Sequence, residues 1–91
     1  MMTRQEILES AIQCVCTDRE KQYGDPENSF AKIARLWSDY LGGINISEVD
    51  VAIMMTLLKI ARIMGGRFKA DSFADACGYL ACAGEIALKE G

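Results

Sequence analysis

The sequence predicts an all-α domain, a four-helix bundle-like unit expected to be oligomeric. Three observations carry that expectation. Apolar residues recur at helical spacing in successive blocks, capping signatures stand before two blocks, and glycines close three of them. No stretch has the two-residue alternation of a strand. We place the helices at about residues 3–23, 26–41, 47–64 and 71–89 of a single domain spanning 1–91.

Thr3-Arg4-Gln5-Glu6 has the form of a capping box and opens the first helix, whose apolar stripe is Ile7, Leu8, Ala11, Ile12 and Val15. The stripe fades after Cys16 into charged residues. Gly24 offers a left-handed cap, and Asp25-Pro26 an N-cap followed by proline at the first helical position, so one helix stops and the next starts within about three residues. Phe30, Ile33, Ala34, Trp37 and Leu41 form the second stripe, which Gly42-Gly43 ends.

Ser47-Glu48-Val49-Asp50 caps the third helix. Its body from Val51 to Met64 is apolar on nearly every side, which marks it as the central and most buried element. Gly65-Gly66 stops it, and a loop through Arg67 and Lys69 leads to the fourth helix. Ala74, Ala76, Gly78, Ala81 and Ala83 make the fourth helix rich in small residues, suited to close packing against the third helix and a partner subunit.

Ninety-one residues support one core but leave much helix surface exposed or to be covered by another copy. A formal charge of −3 argues against DNA or RNA as a partner. The longest apolar run, Val51 to Met55, is too short to span a bilayer, and the polar N-terminus does not build a signal peptide. No membrane partner and a cytoplasmic location are expected. Cys14 and Cys16 are two apart and Cys77 and Cys82 five apart, so neither pair shares a helical direction; small, buried, reduced thiols are expected rather than a metal knuckle.

Chemistry concentrates in two places. The first is the junction from Arg19 to Asn28, where Arg19, Lys21, Tyr23 and Asn28 are candidates for the rim of a ligand pocket, Tyr23 by stacking on a base. The N–H groups behind Pro26 are also suited to an anion. The second is Lys59 and Arg62, neighbours on one face of a helix that otherwise rejects charge. A half-buried cation must be paired, and Asp71 and Asp75 lie across the next turn. Either these four residues form a structural ion-pair network, or the cations bind phosphate as the floor of the pocket.

Carboxylates are the candidates for a divalent cation. Glu6 and Glu9, and Asp71 and Asp75, can each share a helix face, although Glu6 suits a capping box and Asp71 an N-cap. Asp50 projects with Met54, Leu57 and Ala61, and is expected on the core side as a cap, a cation's partner or a metal ligand. Asp50, Asp71 and Asp75 are the set named for Mg²⁺. Phe30 and Trp37, seven apart, read as core.

The blocks Arg19-Glu20-Lys21-Gln22-Tyr23-Gly24-Asp25, Asn28-Ser29-Phe30, Asp50-Val51-Ala52-Ile53-Met54-Met55, Lys59-Ile60-Ala61-Arg62 and Asp71-Ser72-Phe73-Ala74-Asp75 resemble a small phage and prophage domain of the MazG-like all-α nucleotide pyrophosphohydrolases, over residues 7 to 87. That resemblance implies a helical oligomer, often of bundled dimers, with a nucleotide site lined by acidic helices and Mg²⁺. The signature in that family is Glu-x-x-Glu followed by Glu-x-x-Asp. Here Glu6-Ile7-Leu8-Glu9 keeps the first spacing on the terminal helix, and Glu48-Val49-Asp50 is one residue short of the second.

Two functions therefore stand ahead of a purely structural oligomer. One is a phage-encoded nucleotide-binding protein that holds a nucleotide or cyclic-nucleotide signal between subunits in the host cytoplasm, sequesters it from a host-defence pathway, and needs no cofactor to bind. The other is a Mg²⁺-dependent pyrophosphohydrolase of nucleoside triphosphates, with Asp50, Asp71 and Asp75 orienting metal and water.

Overall fold

The computed structural model describes residues 2–18, 26–66 and 68–90, and all regular structure among them is helical. Helix α1 (Arg4–Gln13) runs into a π-helical turn (Cys14–Asp18); α2 (Pro26–Tyr40), α3 (Glu48–Met64) and α4 (Ala70–Glu90) follow. Three of the four helix ranges lie within two residues of the expected ones. The first does not: its α-helical ladder stops at Gln13, and residues 19–23 of the expected span lie outside the described residues.

The capping box of α1 is present, the Glu6 N–H donating to Thr3 Oγ1 at 3.2 Å and the Thr3 N–H to Glu6 Oε1 at 3.3 Å. Gln5 Nε2 donates to Glu9 Oε1 at 3.1 Å, so both glutamates of the Glu-x-x-Glu pair have local partners. The apolar stripe is split. Ala11 is buried and Ile7 and Val15 half-buried, while Leu8 and Ile12 are exposed. The π turn seats Val15 on α4, where a Cβ built on Gly78 would lie 2.7 Å from Val15 Cγ1. Only glycine permits that approach.

Phe30 and Ala34 of α2 meet Val51 and Ala52 of α3 and Cys82, Ala83 and Ile86 of α4 in the core, with Ile33, Trp37 and Tyr79 packed around them. The Phe30 and Tyr79 rings lie 6.3 Å apart between centroids. Phe30 and Trp37 are thus core-directed, as their spacing predicts. At the end of α2, Ser38 Oγ donates to the Ala34 carbonyl at 2.7 Å and accepts from the Ile46 N–H at 3.0 Å, tying the loop back to the helix.

Helix α3 is not buried all round. Val51, Ala52 and Thr56 are buried, the last with its hydroxyl donating to the Ala52 carbonyl at 2.9 Å, but Ile53, Met54, Leu57, Leu58, Ile60 and Met64 are exposed. The physical reason is topological: α4 and α2 cover one side of α3, while α1 packs on α4 instead. The cysteines also differ from expectation. Cys82 is buried and Cys77 intermediate, whereas Cys14 and Cys16, flanking the inward Val15 on the π turn, are exposed; none of the four is in a disulfide. No described helix is long and apolar enough to cross a membrane.

Candidate functional site

Helices α3 and α4 form a tight hairpin, and its corner gathers polar groups. The turn is made by Gly65, whose N–H donates to the Ala61 carbonyl at 3.1 Å, and by Gly66 at φ +90°, a conformation that side chains disfavour. This reversal brings Arg62 of the last turn of α3 beside the start of α4. Arg62, Gly65, Lys69 and Ser72 line a hollow of about 350 Å³.

Among the described residues, two cations, a hydroxyl and a helix start thus face one space with no carboxylate in its lining. Lys69 stands just ahead of α4, where a Ser, Thr, Asn or Asp cap would otherwise sit, and its carbonyl accepts from the Ser72 N–H at 3.1 Å. The first turn of a helix carries positive partial charge, which adds to that of Arg62 and Lys69. An anion with several oxygens suits such a lining: an arginine fork for two oxygens, and an ammonium and a hydroxyl for others. The volume is at the low end for a ligand pocket and fits a phosphate or short phosphate chain better than a whole nucleotide.

A turn earlier on α3, Lys59 Nζ lies 3.0 Å from Asp75 Oδ2, with the two side chains 14% and 33% exposed. This pair realises half of the expected ion-pair network. Arg62 forms no ion pair with Asp71 or Asp75, and among the expected floor residues Arg62 alone lines the hollow. Asp71 is in the first turn of α4, inside the helix rather than at its cap, because α4 begins at Ala70.

Asp50 is a cap residue, not a core-facing one. Its Oδ2 accepts from the Ser47 N–H at 3.0 Å, its own N–H donates to Ser47 Oγ at 3.1 Å, and it is exposed. It lies nine residues from Lys59, about 14 Å along the helix axis at 1.5 Å per residue, whereas Asp75 is held at Lys59. Asp50, Asp71 and Asp75 therefore do not converge within one chain, and the described residues contain no group of three such donors. Arg19, Lys21 and Tyr23 lie outside the described residues; Asn28 falls in the first turn of α2.

A wider groove of about 890 Å³ is lined by Ala31, Lys32, Arg35, Leu36 and Glu48. There the Glu48 carboxylate offsets one of the two cations, so, among the described residues, the corner is the more strongly anion-selective of the two sites. Lys69 and Ser72 were not singled out from the sequence. The signal that marks them is local: a lysine where a cap is expected after a glycine stop, then a hydroxyl three residues on.

The fold and corner together define a small all-helical domain with a cationic, phosphate-sized hollow. A family model described as "Domain of unknown function (DUF6378)" matches residues 6–87, and the chain belongs to that family. It is 44% identical over 82 residues to the Gene 55 protein of Mycobacterium phage D29, covering 90% of this chain and 54% of that protein. To the Gene 55 protein of Mycobacterium phage L5 it is 37% identical over 84 residues, covering 92% of this chain and 54% of that protein. The chain thus spans about half the length of these phage relatives. No solved structure matches it.

Proposed function

We propose that this chain is a phage nucleotide-binding protein, a homo-oligomer that grips a nucleotide or cyclic-nucleotide signal by its phosphate and holds it unhydrolysed, withdrawing it from a host-defence pathway. The observation that carries this reading is the α3–α4 corner, where Arg62, Lys69 and Ser72 surround a hollow at a helix start with no carboxylate among the described residues of its lining. The chemistry is recognition: charge-assisted hydrogen bonds to phosphate oxygens, with no ion required for binding.

Retention rather than turnover is favoured by the placement of the acids. Asp50 caps its own helix, Asp75 is engaged by Lys59, and Glu6 is in a capping box. A two-oxygen clamp for Mg²⁺ and water needs converging carboxylates, and these diverge. The sequence blocks that resemble MazG-like domains support a nucleotide as the ligand class, and the similarity to phage proteins supports action in the host cytoplasm.

The test is to incubate purified protein and Mg²⁺ with a panel of standard and cyclic nucleotides, remove free ligand, and recover bound ligand by heat denaturation. Unchanged nucleotide in the released fraction is the expected result. Released pyrophosphate and monophosphate would instead establish hydrolysis. Neither binding nor turnover would leave the corner as helix punctuation and overturn the reading.

A further inference from the structure

We propose that the outer face of α3 docks against the same face of a second copy, the two helices running antiparallel about a twofold axis near Leu57. This deepens the homo-oligomeric part of the function proposed above by naming the interface, and it is tested without any nucleotide. At 100° per residue, Ile53, Met54, Leu57, Leu58, Ile60 and Met64 fall within an arc of about 160°, opposite the side that holds Ala52 and Thr56 in the core. All six are at least 40% exposed, and Met64 is 81% exposed. A water-facing helix should be polar on that arc.

The apolar surface continues onto α2. Trp37, Tyr40 and Leu41 line a hollow of about 230 Å³ with Met54, and Tyr40 is 88% exposed. The exposed parts of Tyr40, Leu41 and the six α3 side chains amount to on the order of 800 Å², the contribution of one partner to a standard interface. Apolar patches on monomers seldom exceed roughly 600 Å². The radius of gyration, 13.8 Å, is also larger than the roughly 12 Å of a compact chain of this length.

Charge sets the direction of the pair. Asp50 is the one charged residue within the arc and stands at its N-terminal end. Antiparallel packing centred on Leu57 sets Asp50 of one chain level with Met64 of the partner subunit, twice by symmetry, and keeps the two carboxylates roughly 20 Å apart along the helices. It also opposes the helix dipoles. Parallel packing would set Asp50 against Asp50 of the partner subunit, a like-charge contact. An isologous interface of this kind closes on itself and ends at a dimer.

Light scattering after size exclusion, on ligand-free protein at tens of micromolar, should give twice the 10.0 kDa chain mass. Leu57→Glu and, separately, Met64→Glu should halve that mass while far-UV circular dichroism keeps its helical signal, since both side chains are exposed in one chain. A monomeric wild type overturns the proposal and leaves the face to another occupant, such as the additional length of the phage relatives. A dimer that survives both substitutions overturns it too, by assigning association to another face. Asp50→Asn sets the direction: antiparallel packing predicts association within about twofold of wild type, and markedly tighter association, from relief of a like-charge contact, would mean parallel packing instead.

Discussion

At the N-terminal end of α3 the polar groups turn back onto their own backbone, whereas at its C-terminal end they ring an open hollow. Ser47 and Asp50 exchange two hydrogen bonds and close the helix start, directly above Val51 and Ala52, which are fully buried. In the last turn of the same helix, Arg62 reaches the corner with Lys69 and Ser72 around it, none of them in an ion pair or capping box among the described residues. Residues of similar chemistry thus serve folding at one end and are available to a ligand at the other. Counting charges does not separate these roles; following each group to its partner does.

That contrast can be broken in four places. Phe30→Ala, beneath the N-terminal end, should destabilise the fold by about 3–5 kcal/mol in urea melts, since it empties a fully buried aromatic site in the core. Arg62→Ala, at the other end, should lower nucleotide retention by about 10- to 100-fold, the loss of a charged hydrogen-bonding group worth roughly 1.5–3 kcal/mol. Its unfolding midpoint should stay close to wild type; a collapse of the fold would assign Arg62 to structure.

Smaller effects sharpen the boundary between the two ends. Asp75→Ala strands the largely covered Lys59 ammonium and should cost about 1–2 kcal/mol of stability, less than a fully buried pair because Asp75 is partly solvated. Asp50→Ala removes the capping-box acceptor and should cost about 1 kcal/mol, with nucleotide retention changed by less than about twofold. A tenfold fall in retention from Asp50→Ala alone would return that carboxylate to the site.

Much of the fold was legible because helix boundaries are written in local chemistry. Thr3 with Glu6, Ser47 with Asp50, and the glycine pairs at 42–43 and 65–66 each act within a few residues of themselves, and each is where the spacing predicts. The burial of α3 was not legible. Hydropathy says that a helix avoids water on all sides but not whether its own chain or another supplies the cover, so α3 looked like the centre of one domain while half of it faces outward. The π turn at Cys14–Asp18 has no counterpart in the apolar period, and the fit of Val15 on Gly78 is a tertiary fact.

The candidate site was legible in part for the same reason. Arg62 stood out as a charge on an apolar helix, and the Lys59–Asp75 pair follows from the cost of leaving an ammonium uncompensated. Lys69 and Ser72 enter only once the hairpin folds Arg62 back over the start of α4. Asp50 misled, since its helical projection with Met54 and Leu57 implied a core position, and that arc is the exposed one.

The proposed site holds phosphate at the C-terminal end of α3 and not at its N-terminal end. Titrating inorganic pyrophosphate into ¹⁵N-labelled protein and following backbone amide resonances tests it directly. Saturable shifts are expected to be confined to Arg62, Gly65 and residues 69 to 73, and absent in Arg62→Ala, with the Ser47 to Val51 amides unmoved. Shifts centred on Ser47 to Val51, or on Lys32 and Arg35, or no saturable shift at all, would contradict it.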